Sequence, residues 1–293
     1  MKRMLMLILL LCLLCSAAHA ESTAADITVG PVTVKSDIAE LDLDSLTTEA
    51  IPANDLLTAF AAMPNLTHVT MFEQPIAVAD METILAAFPN VDFDWTVQLD
   101  QYRIRTDATA FSTLKGRQEP RYTTEDLEPL KYCTELLAID LGHNNVSDLS
   151  FLTQWPHLKI LIIVDSKNPI TDITPLAELH ELEYVELFMQ GITDLTPLSN
   201  KPNLLDLNLC HNNATDLTPL LTNTSMERLW ISFNRKLSKE QIKDFKAAMP
   251  NLRMETEEYQ STGAGWRNHK RYEVIKEVFS TRIYRPFDAA DNP

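Results

Sequence analysis

The stretch NLLDLNLCHNNATDLTPL, residues 203–220, places leucines at 204, 207, 209 and 217, an asparagine at 212 and a proline at 219. Versions of it recur at 135–152, 157–176 and 181–198, and a shorter version, SMERLWISFNRKLS, follows at 225–238. The first apolar positions are 22, 24, 22 and 22 residues apart, at Leu136, Leu158, Leu182, Leu204 and Met226. Such a period predicts a solenoid in which each unit buries its apolar side only against its neighbours.

Each unit reads L-x-x-L-x-L-x-x-N-x-L, so its fourth and sixth positions alternate as on a β-strand and face one side. This is the leucine-rich repeat pattern. In such repeats the ninth side chain satisfies backbone groups where the chain leaves the strand, and stacked copies form a ladder. Here that position holds Asn144, Ser166, Gln190, Asn212 and Asn234. The two departures from asparagine predict an imperfect ladder at Ser166 and Gln190.

The second half of three units has the form D-[LI]-x-P-L, at 172–176, 194–198 and 216–220, and 148–152 matches with Phe151 in place of the proline. This form favours a short turn or 3₁₀ segment over a long convex helix. The phrases ITDITPL (170–176) and ITDLTPL (192–198) resemble internalin-type and phosphatase-regulator-type repeats, and the resemblance extends over 126–238. Outside that range, NDLLTAFAAMPNL, METILAAFPNV and KDFKAAMPNL carry apolar residues three and four apart, which predicts true helices. We therefore predict an α/β solenoid, a horseshoe with a parallel concave β-sheet, convex helices at its ends and 3₁₀ or turn segments in its middle, capped at both ends.

The chain begins with the three-part pattern of a secretory signal peptide over residues 1–20: basic Lys2 and Arg3, an apolar run, and Ala18-His19-Ala20. The apolar run is shorter than the roughly 20 residues that span a bilayer. We therefore expect cleavage before Glu21, no later transmembrane segment, and a secreted protein that is free or associated with the cell surface.

The rest of the chain divides into four predicted parts. Residues 21–97 hold an N-terminal cap strand and longer helical repeats, 98–125 interrupt the array as a hairpin and loop, 126–256 are repeats, and 257–293 form a C-terminal cap. In that cap we expect Trp266, Tyr272, Ile275 and Phe279 to cover the last repeat. The tail STGAGWRNHKRYEVIKEVFSTRIYRPF (261–287) resembles those of secreted leucine-rich-repeat proteins of gut Firmicutes.

Charge and cysteine content exclude several classes of site. The signal carries two of the 25 basic residues and none of the 41 acidic ones, so the mature chain has a net charge of −18 and is a poor partner for nucleic acid. After cleavage only Cys133 and Cys210 remain, on strands too distant for the Cα separation of at most about 7 Å that a disulfide requires. His143 and His211 are three strands apart, roughly 14 Å, so they cannot share a metal ion. We expect no metal site and no cofactor.

The third, fifth, seventh and eighth positions of each unit point from the concave sheet toward solvent, and many of them are apolar or aromatic. Exposed apolar patches mark binding sites, and aromatic residues and Met are enriched in interfaces. The candidate partner-binding residues are Ile160, Ile162, Val164, Tyr184, Glu186, Phe188, Met189, Asp206, Arg228, Trp230 and Phe233. The alternative is that segment 98–125 or the C-terminal tail folds over this patch.

These features predict a secreted, monomeric leucine-rich-repeat module that binds a protein or a glycan through its concave face. The resemblance to internalin-type repeats implies a host-facing or surface interaction role. No enzymatic activity is expected. The alternatives are a thiol-dependent hydrolase that uses Cys210, for which no orienting partner is evident, and a structural protein of the cell envelope.

Overall fold

The computed structural model describes residues 24–114, 121–166, 169–257 and 259–291. The predicted signal peptide, the middle of the predicted loop before Arg121 and the last two residues lie outside the described residues. The described residues form a seven-stranded sheet, a four-stranded sheet and a two-stranded hairpin, which share one apolar core that runs from Val29 to Phe245.

The larger sheet has seven parallel strands: β7 (Ala110–Ser112), β8 (Ala138–Asp140), β9 (Ile160–Ile162), β10 (Tyr184–Glu186), β11 (Asp206–Asn208), β12 (Arg228–Trp230) and β13 (Arg253–Glu255). Their spatial order is β13-β12-β11-β10-β9-β8-β7. The register pairs equivalent repeat positions, so that Val185 lies beside Leu161 on one neighbour and Leu207 on the other. The fourth and sixth positions are buried in the core throughout, which confirms the predicted strand register.

The smaller sheet contains β3 (Glu40–Asp42), β4 (His68–Met71), β5 (Asp92–Leu99) and β6 (Tyr102–Arg105). The first three strands are parallel, and β6 folds back antiparallel on β5. Before them, β1 (Asp26–Val29) and β2 (Val32–Lys35) form an antiparallel hairpin whose Val29 is fully buried. The expected N-terminal cap strand is therefore a two-stranded hairpin at the first end of the core.

The convex side changes along the solenoid as the sequence predicts. Helices α1 (Leu43–Leu46), α2 (Ala53–Ala61), α3 (Val78–Ala87) and α4 (Lys239–Ala248) lie in the outer repeats. The middle repeats carry 3₁₀ segments at Glu128–Tyr132, Ser150–Gln154, Thr174–Glu178, Thr196–Leu198 and Thr218–Thr222. At three of these, the aspartate of the repeat accepts a hydrogen bond from a threonine amide two residues on, at 2.8 to 2.9 Å. This local bond and the following proline start a short turn instead of a long helix. The predicted leucine-rich-repeat fold is confirmed.

The ninth-position ladder is more continuous than expected. Asn212 donates from Nδ2 to the carbonyls of Leu187 and Leu209 at 2.7 and 3.1 Å and accepts from the amide of Ile192 at 3.0 Å. Gln190 makes the equivalent bonds, because its longer side chain reaches the carbonyl of Ile163, the hydroxyl of Ser166 and the amide of Ile170. The prediction of an imperfect ladder at Gln190 is therefore wrong, because its longer side chain makes up for the shorter reach of Ser166.

Two other expectations need correction. Segment 98–125 contains the predicted hairpin, but it does not simply interrupt the array, because β7 pairs in parallel with β8 as an additional repeat strand. The C-terminal tail folds into helix α5 (Lys270–Thr281), which contacts β7 and β8 on the concave side. It is thus a cover for the concave face, and the expected capping of the last repeat by Trp266, Tyr272, Ile275 and Phe279 is not what the structure has.

Candidate functional site

The concave face of the larger sheet is closed by the chain itself. Nine candidate binding residues are buried: Ile160, Ile162, Val164, Tyr184, Glu186, Phe188, Asp206, Arg228 and Trp230. Only Met189, which is 44% exposed, and the partly exposed Phe233 remain accessible. The expectation that Phe188 and Trp230 face solvent is therefore wrong, because residues 259–291, here called the strap, lie over them.

The strap and the concave face form a second apolar core. Trp266 is fully buried, with its ring centroid 5.0 Å from that of Trp230 and 5.5 Å from that of Tyr184. Its indole Nε1 donates to Glu186 Oε1 at 2.8 Å. On α5, the side chains Val274, Ile275 and Val278 complete this core against the small and apolar residues of β7, β8 and β9. The apolar strand positions that resemble a vacant binding surface in sequence are in fact intramolecular contacts.

Charged groups fix the position of the strap. Asp206, fully buried, accepts bonds of 2.6 and 2.8 Å from Arg228 and of 2.7 and 2.9 Å from Arg271 on α5. Arg271 also donates to Glu227 Oε2 at 2.7 Å. Burial acts to raise the pKa of Asp206, but the hydrogen bonds from both guanidinium groups outweigh it and lower the pKa below its usual value. Asp206 is therefore a carboxylate that holds α5 against the sheet.

The far end of the strap is joined to the first strand of the larger sheet. The carbonyl of Arg282 accepts bonds from the amides of Thr109 and Ala110, both at 3.2 Å. Tyr284 adds two hydrogen bonds: its amide donates to Thr109 Oγ1 at 2.6 Å, and its hydroxyl donates to Glu183 Oε2 at 2.9 Å. The strap thus crosses the concave face from β12 to β7.

The eighth position of each repeat lies beyond the strap, at the rim where strands end. His143, Asp165, Met189, His211 and Phe233, here called the rim column, all have left-handed backbones, with φ of 63°, 51°, 58°, 55° and 62°. This conformation costs a non-glycine residue about 1–2 kcal/mol, and His and Asp bear it better than bulky residues do. Met189 and Phe233 therefore adopt a backbone conformation that is unfavourable for their residue types, which makes their side chains at these two turn positions notable.

Between the rim column and the strap lies a cavity of ≈ 610 Å³, here called the rim groove. Met189, Phe188 and Tyr259 form apolar walls, and Tyr259 is 75% exposed. The rim column is internally braced: His143 Nδ1 lies 3.0 Å from Asp165 Oδ2, and the rings of His211 and Phe233 stack with centroids 4.4 Å apart. His211 Nε2 also lies 3.0 Å from the carbonyl oxygen of Tyr259, which ties this wall to the strap.

Arg267 supplies the polar floor of the rim groove. Its Nη2 lies 3.6 Å from Glu186 Oε2, longer than a hydrogen bond, and its guanidinium carbon lies 5.1 Å from the ring centroid of Tyr272. Among the described residues, no acceptor reaches its buried Nε, and Glu186 Oε2 likewise has no hydrogen-bond partner. Arg267 is 38% exposed, so it presents donor groups to the groove.

Cys210 does not reach this groove. Its side chain is fully buried in the second apolar core, whereas the adjacent His211 points along the rim to Tyr259. Cys133 is also fully buried, and burial raises the pKa of its thiol to about 12. Neither thiol is accessible in the fold, which argues against the alternative of a hydrolase that uses Cys210.

Within the described ranges, no group of three or more His, Cys, Asp or Glu side chains is placed to hold a metal ion. No helix in the part of the chain that the structure describes is long and apolar enough to cross a membrane.

Comparison with known proteins yields structural similarity only. No protein-family model and no curated protein sequence matches the chain. An internalin from Listeria monocytogenes is 17% identical with a TM-score of 0.43, covering 71% of this chain and 67% of that one. Internalin C2 of the same species is 20% identical with a TM-score of 0.37, covering 70% of each chain. A leucine-rich-repeat protein of Leptospira interrogans is 15% identical with a TM-score of 0.38, covering 71% of this chain and 52% of that one.

Proposed function

We propose that this chain is a secreted, monomeric recognition module that binds a protein partner through the rim column and the neighbouring Tyr259. The observation that carries the proposal is the exposure of Met189 and Tyr259 beside Phe233 in an array whose concave face is already filled. The remaining accessible apolar side chains of the candidate surface are therefore concentrated at the rim. The signal-like N-terminus supports action outside the cell.

The composition of the rim suits a protein interface. Met, Tyr, Phe and Arg are enriched in interface cores, whereas charged residues other than Arg are depleted there. The five rim positions extend over four strand spacings, roughly 19 Å at ~4.8 Å each, which is long enough for a partner to contact several repeats. Because each side chain sits on a turn anchored by the Asn ladder, the surface is preorganised, and binding loses little conformational entropy.

Affinity capture of surface proteins by immobilised mature protein would test this proposal. Met189→Glu places a charge in the centre of the rim, and we expect it to reduce retention of specific partners at least tenfold. The matched control is Leu221→Glu, because Leu221 is a 37% exposed leucine on a convex 3₁₀ segment away from the rim. Identical retention by the wild type and Met189→Glu, with loss in Leu221→Glu, would place the binding surface on the convex side instead.

A further inference from the structure

We infer that the rim groove binds an acidic saccharide, a sugar bearing a carboxylate, so that the protein partner recognised at the rim is a glycoprotein. This inference rests on the proposed function and specifies what the same surface recognises. Its basis is the combination of an arginine whose side chain is partly exposed, aromatic walls and a cavity of small-ligand size.

The charge of the groove differs from that of the molecule. The full chain has a net charge of −16, yet the groove is lined by two arginines, Arg121 and Arg267, against the single carboxylate of Asp165. Asp165 is itself engaged by His143. Because charges further apart than about 10 Å are largely screened at 0.1 M salt, a small anion inside the groove experiences mainly these nearest charged groups. A polyanion or an anionic membrane would also meet the acidic surface around the groove.

The donor geometry favours a carboxylate. A guanidinium presents a planar fork of N–H donors that matches two carboxylate oxygens. Arg267 is held in place by its contact with Tyr272 and by Glu186, so its fork is positioned before a ligand arrives. The distance of 3.6 Å to Glu186 leaves the ion pair without a close hydrogen bond, which keeps donor capacity for a ligand.

The remaining walls favour a sugar over a peptide. A sugar ring has an apolar C–H face that lies against aromatic rings and hydroxyl groups that bond to polar side chains. The groove offers both, with Tyr259 on one side and Ser261 and Thr262 beside it. An extended peptide would instead pair its backbone with a free strand edge. The groove lies at the ends of strands that are already paired on both sides, β8 to β11, and presents no such edge.

Ligand-observed NMR titration of the mature protein provides the test, with methyl β-glucuronide and a methyl sialoside as probes. We expect saturable binding of at least one of them, weakening as salt rises. The methyl ester of the same sugar keeps every ring atom but removes the charge, and it should bind at least tenfold more weakly. Failure of both acidic sugars to bind would overturn the inference, as would equal binding of the neutral ester.

Variants assign the site. Arg267→Gln should weaken binding at least tenfold, whereas Arg103→Gln, which removes a charge on the smaller sheet, should leave it unchanged. If Arg267→Gln fails to fold because it leaves Glu186 unneutralised, Arg267→Lys and the exposed-site variant Tyr259→Ala replace it. Arg267→Lys keeps the charge and loses the fork. Unchanged binding in both of these would refute the assignment.

Two further arms separate this inference from the proposed function. An acidic tripeptide that binds as tightly as the acidic sugars would overturn the choice of a saccharide. Absence of sugar binding, with protein capture still lost in Met189→Glu, would refute the inference and leave the proposed function intact. Sugar binding with protein capture unaffected by Met189→Glu would support the groove as a ligand site and refute the proposed protein interface.

Discussion

Arg271 is the side chain whose removal most directly tests the closure of the concave face. Arg271→Met keeps much of the aliphatic stem but removes two bonds to Asp206 and one to Glu227. Breaking a buried ion pair by removing one partner costs about 3–5 kcal/mol. Since Arg228 still neutralises Asp206, we expect the lower end of that range, about 3 kcal/mol. For a chain of this size that corresponds to a decrease in melting temperature of roughly 6–12 °C.

Urea unfolding, followed by tryptophan fluorescence, measures this loss. The matched control is Lys276→Met on the same helix, because Lys276 is 54% exposed and pairs only with Glu273 among the salt bridges of the described residues. Exposed pairs contribute about 0–1 kcal/mol, so the control should unfold near the wild-type midpoint. If the strap detaches locally before global unfolding, acrylamide will quench Trp230 and Trp266 more strongly in Arg271→Met at low urea.

A double-mutant cycle with Asp206→Asn completes the test. Asp206→Asn removes the charge that Arg271 neutralises, so Arg271→Met loses less in that background. The double variant should therefore lower the free energy of unfolding by clearly less than the sum of the two single variants. The interpretation would be refuted by an Arg271→Met variant that unfolds within 1 kcal/mol of Lys276→Met and shows unchanged quenching. Additive single and double variants would likewise contradict a direct contact.

Three other outcomes follow from buried groups. Burial raises the pKa of Asp140 to about 6, although the hydrogen bond from the amide of Gly142 opposes this, so the folded state disfavours the charged form and stability falls as pH rises from about 4 to about 6. Asp140→Asn should therefore be more stable than wild type at pH 7, by at most about 3 kcal/mol, and should gain little near pH 4. Equal stability differences at the two pH values in urea unfolding would contradict this. Cys133 and Cys210 should react with a thiol reagent only after unfolding, and rapid reaction of Cys210 in the native protein would revive the hydrolase alternative. Trp230→Ala should lower the free energy of unfolding by about 3–5 kcal/mol because it opens the second core, whereas a melting temperature close to wild type would mean that the strap does not cover Trp230.

Candidate-site residues divide by whether a local or a distant part of the chain determines their surroundings. The spacing correctly placed Phe188 and Trp230 on the concave side of their strands, because alternation along a strand is a local property. It could not determine their exposure, since that depends on Trp266 and α5, which lie tens of residues later in the chain. The sequence did carry one sign of this contact. On α5, helical spacing places Arg271 on the same buried face as Val274 and Val278, and its charge complements the buried Asp206.

The repeat period by itself determined the parallel sheet, the strand register and the eighth-position rim column, because these features follow from contacts between neighbours one repeat apart. The local sequence between strands determined the change from convex helices to 3₁₀ segments. The tertiary structure alone decided that β7 joins the larger sheet, that Gln190 bridges the gap at Ser166, and that the strap closes the concave face and forms the rim groove with Tyr259 and Arg267. Each of these depends on a contact that occurs once in the chain, so no periodic pattern encodes it, and only the balance of burial and charge in the folded molecule selects it.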